Sequence, residues 1–425
     1  MKTKIWIAGF LLLCFVFSAC DDEALYLDDE GAYDNNADSG YDDEEPFNDD
    51  YDEAALENED DDVVTPTADQ DSIEPIGTST DLAEVFGAFV ESEMAKQKVP
   101  GAAVAVIQGD KVTYAQGFGW RDVDAQLPVT TETLFHIGST TKSMTAMAIA
   151  SLVDDGVLDW DTPVVDVYPQ FQLAEATDTV TFRHLLSMRG GIPDWAEDDF
   201  DIDNGSAEDL LQYVADIELL AEPGGEFSYS NISASLSGYV GGLADGGDVN
   251  QLNAAYADLL QSRVLELIGM QNAAIFYSDA QKSPHYGKSY ILDRGEIIEA
   301  EPEDWDADPL APSGVLKADV LDMSLYISTQ LNRGVAPNGT RVISEKNMEA
   351  MWQPHLEGYA LGWEIKKEQR VTSISHEGSF DNYLSVIGFV PELNFGYVIL
   401  TNSADAGESL IDGAPDFLID YFLDQ

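Results

Sequence analysis

Cysteine, basic side chains and long apolar runs are all scarce in this chain, and each scarcity closes off a class of protein. The two cysteines among 425 residues are Cys14 and Cys20, close to an uncharged run from Ile5 to Ala19 that follows Lys2 and Lys4. Fifteen residues fall short of the roughly eighteen that argue for a transmembrane helix, so residues 1–19 read as an export signal. A mature chain then keeps at most Cys20, which leaves no disulfide and no thiolate metal site to assign, although an exported compartment would permit disulfides. Lys and Arg together number 20 against 80 Asp and Glu, a formal net charge of −60. That imbalance excludes nucleic acid and anionic surfaces as natural partners. It suits solubility in a salty medium, where screening limits self-repulsion.

The acidic charge is unevenly spread. Residues 20–80 hold 24 acidic side chains and no Lys or Arg, too polar a segment to bury a core, and they are expected to form a disordered tether. No run within it, Asp34 to Asp43 included, has the spacing of a known calcium loop. Residues 81–425 are long enough for one enzyme of two lobes. A helical pattern spans Thr80 to Lys98, and a hairpin follows, with strands Ala102 to Ile107 and Val112 to Phe118 around the turn Gln108-Gly109-Asp110-Lys111. From about 140 to 340 the pattern is mainly helical, with an amphipathic stretch from Ala207 to Leu220. Strands return at Leu361 to Lys366, Ser373 to His376, Leu384 to Val390 and Phe395 to Thr401, before a last helix from Leu410 to Leu423. This order predicts an α+β fold: an antiparallel sheet built from both ends of the domain, flanked by the terminal helices, with a large helical lobe inserted. The lobe boundary is the expected place for a cleft.

The chemistry starts at Ser139-Thr140-Thr141-Lys142, the one Ser-x-x-Lys in the chain. At the start of a helix, residues three apart share a face, so Lys142 can take the Ser139 proton if burial leaves the amine neutral. The apolar run from Ser143 to Val153 predicts a helix buried on every side. Tyr229-Ser230-Asn231 follows a Gly/Pro loop and would bring a phenol and an amide to the same cleft, the phenol relaying a proton and the amide holding lysine and substrate. His376-Glu377-Gly378, followed by Ser379, lies on a predicted strand whose N–H groups, with that of Ser139, would form an oxyanion hole. His285-Tyr286-Gly287 has the same pattern and ranks second, because no strand-rich run closes the chain behind it. His136 and His184 read as satisfied structural groups, Arg183 and Arg189 as ion-pair partners within the helical lobe, and Met144 and Met147 as core.

With three ordered motifs and the flanks Leu134 to Lys142, Val180 to Pro193 and Pro223 to Asn231, residues 81–425 resemble the serine β-lactamase and penicillin-binding-protein superfamily. The likeness is to the branch holding class C β-lactamases, D-alanyl-D-alanine carboxypeptidases, D-aminopeptidases and β-lactamase-fold esterases. It implies a β-lactamase/transpeptidase-like fold and an acyl-enzyme on Ser139, with Lys142 and Tyr229 moving protons. Asn231, His376 and Gly378 would position substrate, and the backbone N–H groups of Ser139 and Ser379 would hold the oxyanion. The implied substrate is a small ester, amide or D-amino-acid peptide, and no metal or organic cofactor is required. Lys-Thr-Gly is typical of true β-lactamases where this chain has His376-Glu377-Gly378. A cleft-facing Glu377 would oppose a substrate carboxylate, which places β-lactamase action second; an outward Glu377 would void that point. A catalytically silent lipoprotein that binds envelope peptide is the reading of another class. Phe17-Ser18-Ala19-Cys20 resembles the lipobox of bacterial lipoproteins, which implies a lipid on Cys20 and a place in the cell envelope.

Overall fold

Small and β-branched residues at both ends of the domain make seven strands of one antiparallel sheet. We label them β1 (Gly101–Gln108), β2 (Lys111–Asp122), β3 (Leu127–Pro128), β4 (Glu364–Glu368), β5 (Val371–Phe380), β6 (Tyr383–Val390) and β7 (Phe395–Thr401). Their spatial order is β3-β2-β1-β7-β6-β5-β4, so the first and last long strands pair at the centre, with Ala102 opposite Thr401 and Gln108 opposite Phe395. The computed structural model describes residues 80–202, 204–301 and 309–425. The expected signal, the tether and Cys20 lie outside the described residues.

Alternation along the strands sorts their side chains between two cores. Val104, Val386 and Ile399 pack with Phe86, Val90, Leu410 and Leu418 of the terminal helices α1 (Thr80–Gln97) and α5 (Ala404–Leu423). Ala105, Ile387 and Val398 face the opposite way, into the larger core of the helical lobe. The register carries this division across the sheet: Ile387 stands opposite both Val398 and His376, and Val386 opposite both Ile399 and Glu377.

The centre of the lobe is α2 (Thr141–Asp154), in which every residue from Thr141 to Leu152 is buried, as the apolar run predicts. Its neighbours include α3 (Asn231–Ala244), which begins immediately after the Tyr229 loop, and the segment Ala311–Gly314. Polar side chains inside this packing are tied to one another. Tyr326 in α4 (Val320–Leu331) donates to Ser143 Oγ at 2.9 Å, and Thr145 reaches the Pro312 carbonyl at 2.8 Å.

Several boundaries differ from the pattern. The stretch from Ala207 starts under a Ser206/Asp209 capping box but is helical only to Tyr213. Beyond it the backbone is recruited elsewhere, the Ala215 carbonyl by the Ala174 N–H and the Leu220 N–H by the Gly191 carbonyl, so tertiary bonding overrides helical periodicity. The strand expected from Leu361 begins only at Glu364, after a turn in which the Ala360 N–H bonds the Trp363 carbonyl. The lobe also carries a small hairpin, Tyr290–Asp293 with Glu296–Glu299, which the sequence pattern did not announce.

Candidate active site

Ser139 sits in a short 3-10 turn, Gly138–Thr140, that leads directly into α2. The Ile137 carbonyl anchors this turn by accepting from Thr140 Oγ1 at 2.8 Å and from Ser385 Oγ of β6 at 2.7 Å. The turn therefore lies flat against the sheet. A Cβ on Gly138, whose φ is +52°, would stand 2.6 Å from the Ser379 nitrogen, and one on Gly378 would stand 2.1 Å from the Ile137 oxygen. Neither distance is tolerable, so glycine at both positions is what lets β5 approach the Ser139 turn. The Ser379 backbone is thereby held beside Ser139, which is half-buried.

One turn along α2, Lys142 is completely buried, and its Nζ donates to three oxygens: Ser139 Oγ at 2.8 Å, Asn231 Oδ1 at 2.6 Å and the Ser313 carbonyl at 2.9 Å. Burial pulls its pKa down from 10.5 to about 7, with the negative charge of Glu197 acting in the opposite sense. The Nζ also lies 4.9 Å from the centroid of the Tyr229 ring. Burial pushes the Tyr229 phenol well above its ordinary range, against a smaller opposing effect of its hydrogen bond with Ser139. At neutral pH the pair is thus a poised amine and a protonated phenol around one hydroxyl.

The third wall is β5. His376 is 3% exposed and donates from Nδ1 to the Glu377 carbonyl at 2.5 Å. Because a carbonyl can only accept, that nitrogen carries the hydrogen and Nε2 keeps its lone pair, which accepts from the Tyr359 hydroxyl at 2.9 Å. Burial keeps the ring neutral, its pKa lowered to about 4. Tyr229 packs against this pair, 6.2 Å from the His376 ring and 6.0 Å, edge-on, from Tyr359. Glu377 turns the other way, as strand alternation requires of the next residue. It is exposed, and its electrostatic neighbours include Asp412 and Glu408 on α5. The argument that Glu377 repels a substrate carboxylate therefore lapses.

The structure brings together Ser139, Lys142, Tyr229, Asn231, His376, Gly378 and Ser379. Three further participants escaped the sequence reading. Tyr359 orients His376. Ser313 contributes only a carbonyl, which carries no side-chain signal. Glu197, on the short helix Ala196–Asp199, accepts from Asn231 Nδ2 at 2.9 Å, which fixes the amide with its oxygen toward Lys142. His285-Tyr286-Gly287 lies outside the seven-stranded sheet, where the Gly287 carbonyl accepts from Tyr383. His136 is not satisfied by hydrogen bonds as expected: among the described residues both ring nitrogens lack a hydrogen-bond partner, and the ring stacks on Phe380 at 4.9 Å. Arg183 makes the expected ion pair, gripping Asp161 through two bonds. Arg189 instead binds the Gly224 carbonyl and His355 Nδ1, although Glu222 and Glu226 flank that turn.

Comparison with known proteins agrees with this architecture. Residues 86–416 match the family described as Beta-lactamase. Protein flp of Staphylococcus aureus (strain MRSA252) is 27% identical over 331 residues, covering 76% of this chain and 64% of that protein. The chain thus spans a little under two thirds of the length of this relative. The unguisins hydrolase ungD' of Aspergillus campestris is 28% identical over 390 residues, covering 83% of this chain and 68% of the relative. Among solved structures, the octameric penicillin-binding protein homologue from Pyrococcus abyssi superposes with a TM-score of 0.66 at 29% identity, over 78% of each chain. SurE gives 0.65 at 22% identity, covering 78% of this chain and 75% of its own, a likeness of fold. The match over most of the domain, on a fold with this sheet and inserted lobe, places the chain in the beta-lactamase family.

Proposed function

We propose that the protein is a serine hydrolase that cleaves an ester or amide through an acyl-enzyme on Ser139. The observation that carries this reading is the fully buried Lys142 amine, 2.8 Å from Ser139 Oγ and with its pKa brought to about 7. Above that pH the amine has a free lone pair and takes the Ser139 proton as Oγ bonds to the substrate carbonyl carbon. The oxyanion would be held by the backbone N–H groups of Ser139 and Ser379. When the tetrahedral adduct collapses, the Tyr229 phenol donates to the leaving group and recovers a proton from the Lys142 ammonium. Water then attacks the acyl carbon along the same proton path in reverse. Asn231 positions both Lys142 and the substrate, and neutral His376, held by Tyr359, forms the opposite wall. Hydrolysis is also the activity named for the Aspergillus relative.

β-Lactamase action is the second reading, and the outward Glu377 favours it by removing the objection raised by the strand motif. The test uses the full chain and its Ser139→Ala variant with p-nitrophenyl esters, D-aminoacyl p-nitroanilides and a chromogenic cephalosporin. Turnover by the parent that disappears in the variant supports the hydrolase, and the substrate class that responds sorts the readings. Equal signals from both proteins, or none from either across salt concentrations, would leave a silent envelope-peptide binder as the better account.

A further inference from the structure

Glu197 is a carboxylate to which the described residues give no direct ion pair, the charge of Lys142 reaching it only across the Asn231 amide. Its one hydrogen bond comes from Asn231 Nδ2, and among the described residues no lysine, arginine or histidine pairs with it. The charged groups that act on it are Lys142, Asp198 and Asp194. Two of the three are acidic, and Lys142 is separated from it by the Asn231 amide, its hydrogen bonds going to Ser139, Asn231 and Ser313. An isolated charge in a partly desolvated wall is costly unless paired. Burial accordingly raises the Glu197 pKa, and a bound cation would bring it down again. Two residues earlier, at the start of the same short helix, Trp195 is 45% exposed, an aromatic face of the kind that accepts cations and apolar side chains.

Resting on the serine-hydrolase reading, we propose that Glu197 recognises a primary ammonium on the acyl half of the substrate, so that the site takes aminoacyl esters or amides with a free amine near the scissile carbonyl. The leaving group departs toward Tyr229, which packs against Tyr359 and His376. Glu197 is reached from Lys142 through Asn231 instead, which assigns it to the acyl side. The ammonium would occupy the position of the missing counter-charge and orient the carbonyl over Ser139.

The test compares alanine p-nitroanilide with its N-acetyl derivative, each in D and L form, at about pH 7, where the amine is largely charged. For the full-length parent, kcat/KM should favour the free amine by more than about tenfold, and in Glu197→Gln the ratio should fall toward one. Glutamine can still accept from Asn231, so a residue that merely positions Asn231 would change both substrates by the same factor. A preserved ratio in Glu197→Gln, or no preference in the parent, overturns the proposal. Calorimetry on Ser139→Ala with alaninamide and N-acetylalaninamide separates the two readings. Amine-selective binding that Glu197→Gln removes supports the ammonium site even if no substrate turns over, a result that would sink only the hydrolase; absence of selective binding overturns the site itself.

Discussion

Replacing Lys142 with methionine should abolish activity and at the same time stabilise the protein, by an amount that shrinks as pH rises. The amine has been moved from 10.5 to about 7 by burial, a change that corresponds to about 5 kcal/mol at roughly 1.4 kcal/mol per pH unit. Below pH 7 both folded and unfolded chains hold the proton, and the folded state bears the full penalty of a buried ammonium. Between 7 and 10.5 the folded state has lost a proton that the unfolded chain keeps, so parent stability climbs with pH by about 1.4 kcal/mol per unit from this group. Methionine has no such dependence. It does strand the Ser313 carbonyl, and the loss of hydrogen bonds to buried acceptors offsets the gain by about 1–3 kcal/mol. The expected net effect is about 2–4 kcal/mol of stabilisation at about pH 6, falling steadily toward pH 9. Urea denaturation of both proteins at each pH, taken as a difference so that other titrating groups cancel, measures it. In parallel, kcat/KM of the parent on a neutral p-nitrophenyl ester should rise about tenfold per unit below pH 7 and level off above it. A stability difference that is constant or grows with pH, or an acid limb near 10, would refute the buried-base argument.

Tyr229→Phe should lower kcat by about 10²- to 10⁴-fold, the usual worth of a positioned proton donor, with little change in the urea midpoint; an unaffected kcat would remove the phenol from the proton path. Gly378→Ala would push a Cβ to within 2.1 Å of the Ile137 carbonyl, so labelling of Ser139 by a fluorophosphonate, followed by mass spectrometry, should slow by at least about 100-fold, with a stability loss of about 1–3 kcal/mol. Labelling at the parent rate would show that β5 need not touch the nucleophile turn. Tyr359→Phe leaves His376 Nε2 buried without its donor, and should cost about 1–3 kcal/mol in urea denaturation; an unchanged midpoint would mean that the histidine finds another donor.

The parts of the fold that depend on local periodicity were legible beforehand. The α2 run is apolar on all sides because it is buried on all sides, and the last two strands fall where their β-branched runs do. The spacing of Ser139 and Lys142 was equally readable, since helix geometry alone brings such a pair together. What stayed hidden depends on partners distant in sequence. Glu197 stands in the run Glu197-Asp198-Asp199, and nothing local separates the residue that meets Asn231 from those facing water. Tyr359 matters only because β5 returns beside it. The direction of Glu377 follows from which face of β5 meets the cleft, a matter of register against β6 rather than of composition. The helix beginning at Ala207 ends early because the backbone beyond it is claimed by Ala174 and Gly191, long-range bonds that no periodicity contains.

The pairing of β1 with β7 has a consequence for biosynthesis. Residues at about 100 must wait for residues at about 400 before the sheet can close, and the Ser139 turn likewise has no Ser379 backbone beside it until β5 and β6 exist. The α1 helix and the first hairpin can collapse early, yet the Ser139 turn gains its neighbour Ser379 only once β5 and β6 have joined the sheet. Truncation anywhere before β7 should therefore leave the proposed site unassembled, and chaperones would meet this protein as a long, unclosed intermediate.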